Sequence, residues 1–148
     1  MRDDRLYEIE YGYWFNLINE RVYHQLDVLL NLVQLVGGSA AALAAMQNLP
    51  GVVVAAGLAL ALCAALALLV QPSVKAEQHK VCKQQWRTLR GRAESMTDTE
   101  LLLAVTDLQG QGPSGFDLLA DPARNATVRA SGQPEAQKPL TLLQRVLS

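Results

Sequence analysis

The run GVVVAAGLALALCAALALLV, from Gly51 to Val70, constrains this chain more than any other feature. It holds no charged or amide side chain, and its apolar residues cover every side of a helix instead of one stripe. At ~1.5 Å of rise per residue it reaches roughly 30 Å, the thickness of a hydrocarbon core. Such a helix must be enclosed by lipid or by protein. The protein alternative is a buried hairpin in a soluble bundle or large assembly, and a chain of 148 residues has little else with which to surround it. A run of similar length, LDVLLNLVQLVGGSAAALAAM (Leu26 to Met46), lies just before it across QNLPG. So short a connection makes the two runs antiparallel neighbours, with the turn expected at Pro50-Gly51.

Charge gives the expected orientation. The first 25 residues are charged and aromatic and lack the apolar core of a signal peptide, so both runs are expected in the mature protein. Tyr11, Tyr13, Trp14, Phe15 and Tyr23 precede the first run, where an interfacial aromatic belt would sit. Lys75, Lys80, Lys83, Arg87, Arg90 and Arg92 follow the second run, while the loop between the runs is uncharged. The positive-inside rule then places both termini in the cytoplasm and the protein in the inner membrane.

The expected fold is all-α, a membrane helical hairpin of two transmembrane helices with flanking amphipathic cytoplasmic helices. Residues 1–25 read as an N-terminal amphipathic helix that can run straight into the first span, and 26–71 as the two-span hairpin. Residues 72–108 read as cytoplasmic helices and 109–148 as a flexible tail with short helices. Pro72 suits the first turn of a helix or a kink. In the helix that follows, Val81, Cys82, Trp86, Leu89 and Ala93 share one side. Thr97 and Glu100 form a capping-box pattern ahead of LLLAVTDL. Gln109–Gly115 (QGQGPSG) reads as a flexible break, and LTLLQRVLS as a short terminal helix.

The two apolar runs differ in polarity. On a helical wheel Asp27, Asn31, Gln34 and Gly38 of the first fall within about 60°, and Asn16, Glu20 and His24 extend the same line upstream. Polar groups in hydrocarbon are costly unless they meet water or a partner. The stripe therefore lines a water-filled path in an assembly of copies, or it bonds a neighbouring helix without conduction. Self-association, giving a homo-oligomer, is implied in either case. In the second run Gly57, Ala61 and Ala64 or Ala65 form a small-residue face suited to packing on the first.

Lys80, Lys83, Arg87 and Arg90 fall within about 80° of a helix. They suit anionic lipid headgroups, the acidic N-terminal helix as partner, or an ordinary solvated face. With net charge −1 and no base-stacking platform, nucleic-acid binding is not expected. Nor is enzymatic activity or a cofactor: no phosphate loop, dinucleotide fingerprint or nucleophile elbow is present. His79 with Cys82 falls two ligands short of a metal site. Cys63 and Cys82, roughly 28 Å apart along a helix, are beyond disulfide reach within one chain. Asn125-Ala126-Thr127 matches a glycosylation sequon but is expected in the cytoplasm.

The order of parts over about residues 10–108, with KAEQHKVCKQQWRTLR directly after the second run, resembles the SLATT family of two-span bacterial membrane proteins. Ala76, Glu77, His79, Trp86 and Leu89 stand where that family carries a small residue, an acid, a histidine, an aromatic and a leucine. The resemblance implies an oligomeric, pore-forming or membrane-permeabilising effector of a bacterial conflict system, with any enzyme or sensor supplied by a partner. Two other designs share the same parts. One is a bacteriophage membrane or virion-associated structural protein, holin-like or ejected into the host envelope, with phage structural proteins as partners. The other is a membrane adaptor whose tail helices recruit a soluble partner.

Overall fold

No proline occurs before Pro50, so nothing interrupts the backbone ladder of the first helix. In the computed structural model, which describes residues 2–147, α1 runs unbroken from Arg2 to Met46. It is followed by α2 (Pro50–Val70), α3 (Pro72–Arg92), α4 (Asp98–Gln111), α5 (Ala120–Ala130) and α6 (Leu142–Leu147). Short 3₁₀ turns lie at Ala93–Ser95, Asp117–Leu119 and Pro134–Ala136. The described residues are all-helical, with no strand. Two compact units result: residues up to Val22 together with those from Lys75 onward, and Tyr23–Val74.

Tyr23–Val74 is built from the two apolar runs. α1 ends where Asn48 takes a left-handed conformation (φ 53°). Leu49 N–H donates to the Ala44 carbonyl at 2.9 Å and Asn48 N–H to that of Ala45 at 3.2 Å, the paired bonds of a Schellman cap. Pro50 then opens α2, a position where its missing N–H costs nothing. The turn is therefore Gln47–Leu49, one step earlier than the Pro50-Gly51 expected, because the asparagine supplies the positive φ. Gly37 lets Leu60 come within 3.1 Å of where a Cβ would stand, at nearly equal distances from the turn on either side. α2 ends on Gln71, also left-handed (φ 49°), and Pro72 begins α3.

Both helices contain a stretch long and apolar enough to cross a membrane. Mean hydropathy there is 1.8 in α1 and 2.8 in the stretch beginning at Pro50, where none of the window is buried.

The other unit has its own core. Ile9 of α1, Cys82, Trp86 and Leu89 of α3, and Leu101 and Val105 of α4 form one buried cluster. Ile18 and Val22 of α1 form another with Leu119 and Ala123. Residues 109–148, read as a flexible tail with short helices, contain short helices of two kinds: Asp117–Leu119 and α5 bury Leu119 and Ala123 fully, whereas Leu142 and Val146 of α6 are about 80% exposed. Thr97 caps α4, its side chain accepting from the Glu100 N–H while Glu100 reaches back to the Thr97 N–H at 2.8 Å. Arg2 donates to the carbonyl of Ala93 at 2.7 Å and pairs with Asp98 at 2.7 Å, tying the start of α1 to the α3–α4 connection. Val81, expected on the buried side of α3, is 47% exposed.

Candidate functional site

Along α1 the half-buried or buried positions after Leu26 include Leu30, Val33, Gly37, Ala41 and Ala44, a packing stripe at helical spacing. Along α2 they are Val53, Ala56, Leu60, Cys63, Ala67 and Val70. Asp27, Gln34 and Gly38 are half-buried beside the α1 stripe, and Asn31 is exposed. The polar line thus runs along the edge of the α1–α2 seam, not through its middle. Asn31 donates to Asp27 at 3.3 Å. Gln34 has no side-chain hydrogen bond among the described residues. The small-residue face expected to pack on α1 lies elsewhere: Gly57, Ala61, Ala64 and Ala65 are exposed, and a Cβ on Gly57 would meet nothing within 4 Å. Val53, Leu60 and Val70 line the seam instead, with Cys63 and a different pair of alanines, Ala56 and Ala67. On the open surface of α2, Leu58, Leu62, Leu68 and Leu69 are 64–83% exposed.

Asn16 and Glu20, the first members of the polar line, belong to the other unit, whereas His24 falls within Tyr23–Val74. Asn16 is 4% exposed, and its amide nitrogen donates to the Gly12 carbonyl at 2.8 Å. That bond turns its oxygen toward His79, whose Nδ1 lies 2.8 Å away, so Nδ1 carries the imidazole proton. Phe15 presents a ring edge-on to His79 at 6.3 Å. Asn19, buried completely, accepts the Phe116 N–H at 2.8 Å and donates to the Phe15 carbonyl at 2.9 Å. A Cβ on Gly115 would stand 2.7 Å from Phe15 and 2.8 Å from Asn19, so only glycine lets this strand of chain lie so close. Lys75 donates to Ser114 at 3.0 Å. Glu20 pairs with Lys83, and His24 is exposed.

Burial pushes the His79 imidazole below its ordinary value of 6.5, and Lys75 adds to this. The Ser114 backbone and the Glu20 carboxylate act the other way, and more weakly in sum. A histidine with a depressed folded-state value stabilises the fold fully above the unfolded value, and that contribution is lost as pH falls through the folded one. Thermal unfolding of this unit is therefore expected to occur at lower temperature at about pH 5 than at about pH 7.5. His79→Gln should flatten that difference, because the remaining histidine, His24, is solvent-exposed. An unchanged pH dependence in the variant would refute the assignment.

The basic stripe is mostly paired. Arg90 meets Glu10 at 2.8 Å and Lys83 meets Glu20, so these two face the acidic positions of α1. Lys80 pairs with Glu77 of its own helix at 3.0 Å, and Arg87 is exposed. Cys82 is buried, which pushes its thiol up and away from the reactive thiolate form. Asn125 is 4% exposed, with its amide exchanging two hydrogen bonds with the Lys138 backbone at 2.7 and 2.8 Å. The sequon side chain is thus occupied by the fold.

Sequence reasoning missed Asn19 and the closure of residues 114–116 over it. Asn19 lies off the polar line, and its partner is a backbone N–H, which no side-chain pattern displays. No family model, curated protein or solved structure matches the chain.

Proposed function

We propose that the chain is an oligomeric integral membrane protein in which Tyr23–Val74 forms a transmembrane hairpin, and that copies assemble to permeabilise the membrane along the Asp27–Asn31–Gln34–Gly38 edge. The observation that carries the reading is the contrast between the two helices. α2 leaves leucines exposed on its open sides with no part of its most apolar stretch buried, while α1 confines its amides to one edge of the seam. In water, each leucine left exposed forgoes about 1.5–3 kcal/mol of burial. In lipid the same surface is at home, and the amide edge is then the part that needs water or another copy. The basic residues after α2 favour both termini in the cytoplasm of a bacterial cell.

The order of parts shared with SLATT proteins favours a conflict-system effector whose trigger comes from a separate sensor. The phage reading, a holin-like or ejected envelope-spanning component, uses the same hairpin and differs in the partner.

The full chain reconstituted into liposomes is expected to release an entrapped dye in proportion to protein above a threshold density, and to resist alkaline extraction. Firm membrane association without release would leave a hairpin that packs but does not conduct, and would sink the permeabilising part of the proposal.

A further inference from the structure

Within the unit that holds α3 to α6, a cavity of about 200 Å³ opens between α1, α3 and the end of α4. Three aromatic side chains, Tyr11, Phe15 and Trp86, contribute to its wall, together with Glu8, Leu108 and Gln109. Gly112 and Pro113 complete the end nearest α4. No lysine or arginine lines it. The volume suits one small ring, since a cavity of about 150 Å³ accommodates benzene.

Three features of different origin make this cavity favour positive charge. The first is Glu8, the one carboxylate residue in the lining. Arg5 donates to it from the same helix at 3.0 Å, yet a carboxylate has about four acceptor positions and both partners are partly exposed. The second is the end of α4. This helix of 14 residues stops at Gly112 in an extended conformation (φ −61°, ψ 140°), so the negative end of its dipole falls at that lining residue, where the Leu108 and Gln109 carbonyl oxygens lie 3.6 Å from the place of a Cβ. The third is the aromatic wall, whose ring faces attract cations and whose area suits an apolar body. Tyr11 and Phe15 stack with centroids 5.8 Å apart, which holds both rings in place. An anion would find no lysine or arginine in the lining and, in Glu8, a like charge, and a neutral ring would use the wall while leaving the carboxylate and the helix end unanswered.

We propose that this cavity binds a small organic cation, an ammonium carrying one ring or a few methyl groups. The site is separate from the permeabilising edge, and its test does not depend on the membrane reading. Benzyltrimethylammonium is titrated calorimetrically into the full chain in maltoside micelles, with protein-free micelles as the blank. Benzyl alcohol and benzoate serve as neutral and anionic counterparts of the same ring. The cation is expected to bind saturably with one site per chain, at least about tenfold more tightly than benzyl alcohol, and benzoate not at all. Glu8→Gln, a partly exposed position, is expected to weaken the cation about tenfold while leaving thermal unfolding near that of wild type. Gly112→Leu, placed at the rim away from the buried core, should block both the cation and the alcohol. Equal affinity for cation and alcohol overturns the proposal, as does absence of saturable binding or an unaltered cation affinity in folded Glu8→Gln.

Discussion

Asn31→Leu/Gln34→Leu is expected to reduce dye release from liposomes to the level of protein-free vesicles while leaving membrane insertion intact. Both substitutions exchange an amide for a side chain that partitions into hydrocarbon more readily, so the variant inserts at least as well as wild type. Neither side chain is a packing element of the seam: Asn31 is exposed and Gln34 lies at its margin. Asn31 gives up one exposed bond to Asp27 at 3.3 Å, which is long for a strong contact. What the variant removes is the amide edge itself. If that edge lines water, a continuous leucine surface there closes the path. If instead it only bonds a neighbouring copy, each lost contact costs about 0.6–2 kcal/mol and the assembly weakens. Two measurements separate these outcomes: release, and oligomer mass in detergent. Lost release at unchanged mass supports conduction along the edge, lost mass supports packing, and unchanged release removes the edge from the mechanism.

The parts of the fold legible in the sequence are those whose cause is local. The capping box at Thr97 and Glu100 is written in four consecutive residues. The helix start at Pro72 follows from the chemistry of proline, whereas Pro50, expected within the turn, opens α2, because Asn48 takes the left-handed conformation one step earlier. The buried side of α3 and of the turn that follows is visible for Cys82, Trp86, Leu89 and Ala93, and His79 falls beside that arc on the wheel. Val81 was misplaced because it stands at the edge of the arc, where periodicity does not decide. The polar line on α1 is legible as a line and deceptive as a unit. A single helix carries it, but Asn16 and Glu20 meet α3 partners sixty-three residues away, and only tertiary contact decides that. The tail was least legible, because residues 114–116 are held through a backbone N–H, a backbone approach at Gly115 and one serine. Glycine and serine in QGQGPSG read as looseness, whereas here they are what lets the chain lie against Phe15 and Asn19.

Trp86→Ala is expected to destabilise the unit containing α3 by about 3–5 kcal/mol, a large share of the 5–15 kcal/mol that holds a typical domain together. Trp86 is 3% exposed and belongs to the cluster of Ile9, Leu89, Leu101 and Val105. These neighbours sit on three helices, so the hole left by an indole has no single element that can fall in to fill it. Gly12 shows how closely the ring is held, since a Cβ there would stand 2.5 Å from its Cε2. Alanine at Gly12 in the wild-type background is therefore expected to overpack the site, at about 1–3 kcal/mol. Because the two positions share one space, the penalties should not add. With the indole gone, a larger side chain at Gly12 occupies part of the void, and Trp86→Ala/Gly12→Leu is expected to be more stable than Trp86→Ala alone. Trp14, in the same unit, remains as the fluorescent reporter for denaturant titrations of both variants. A double variant no more stable than the single one would show that the space beside Gly12 is not where the indole packs.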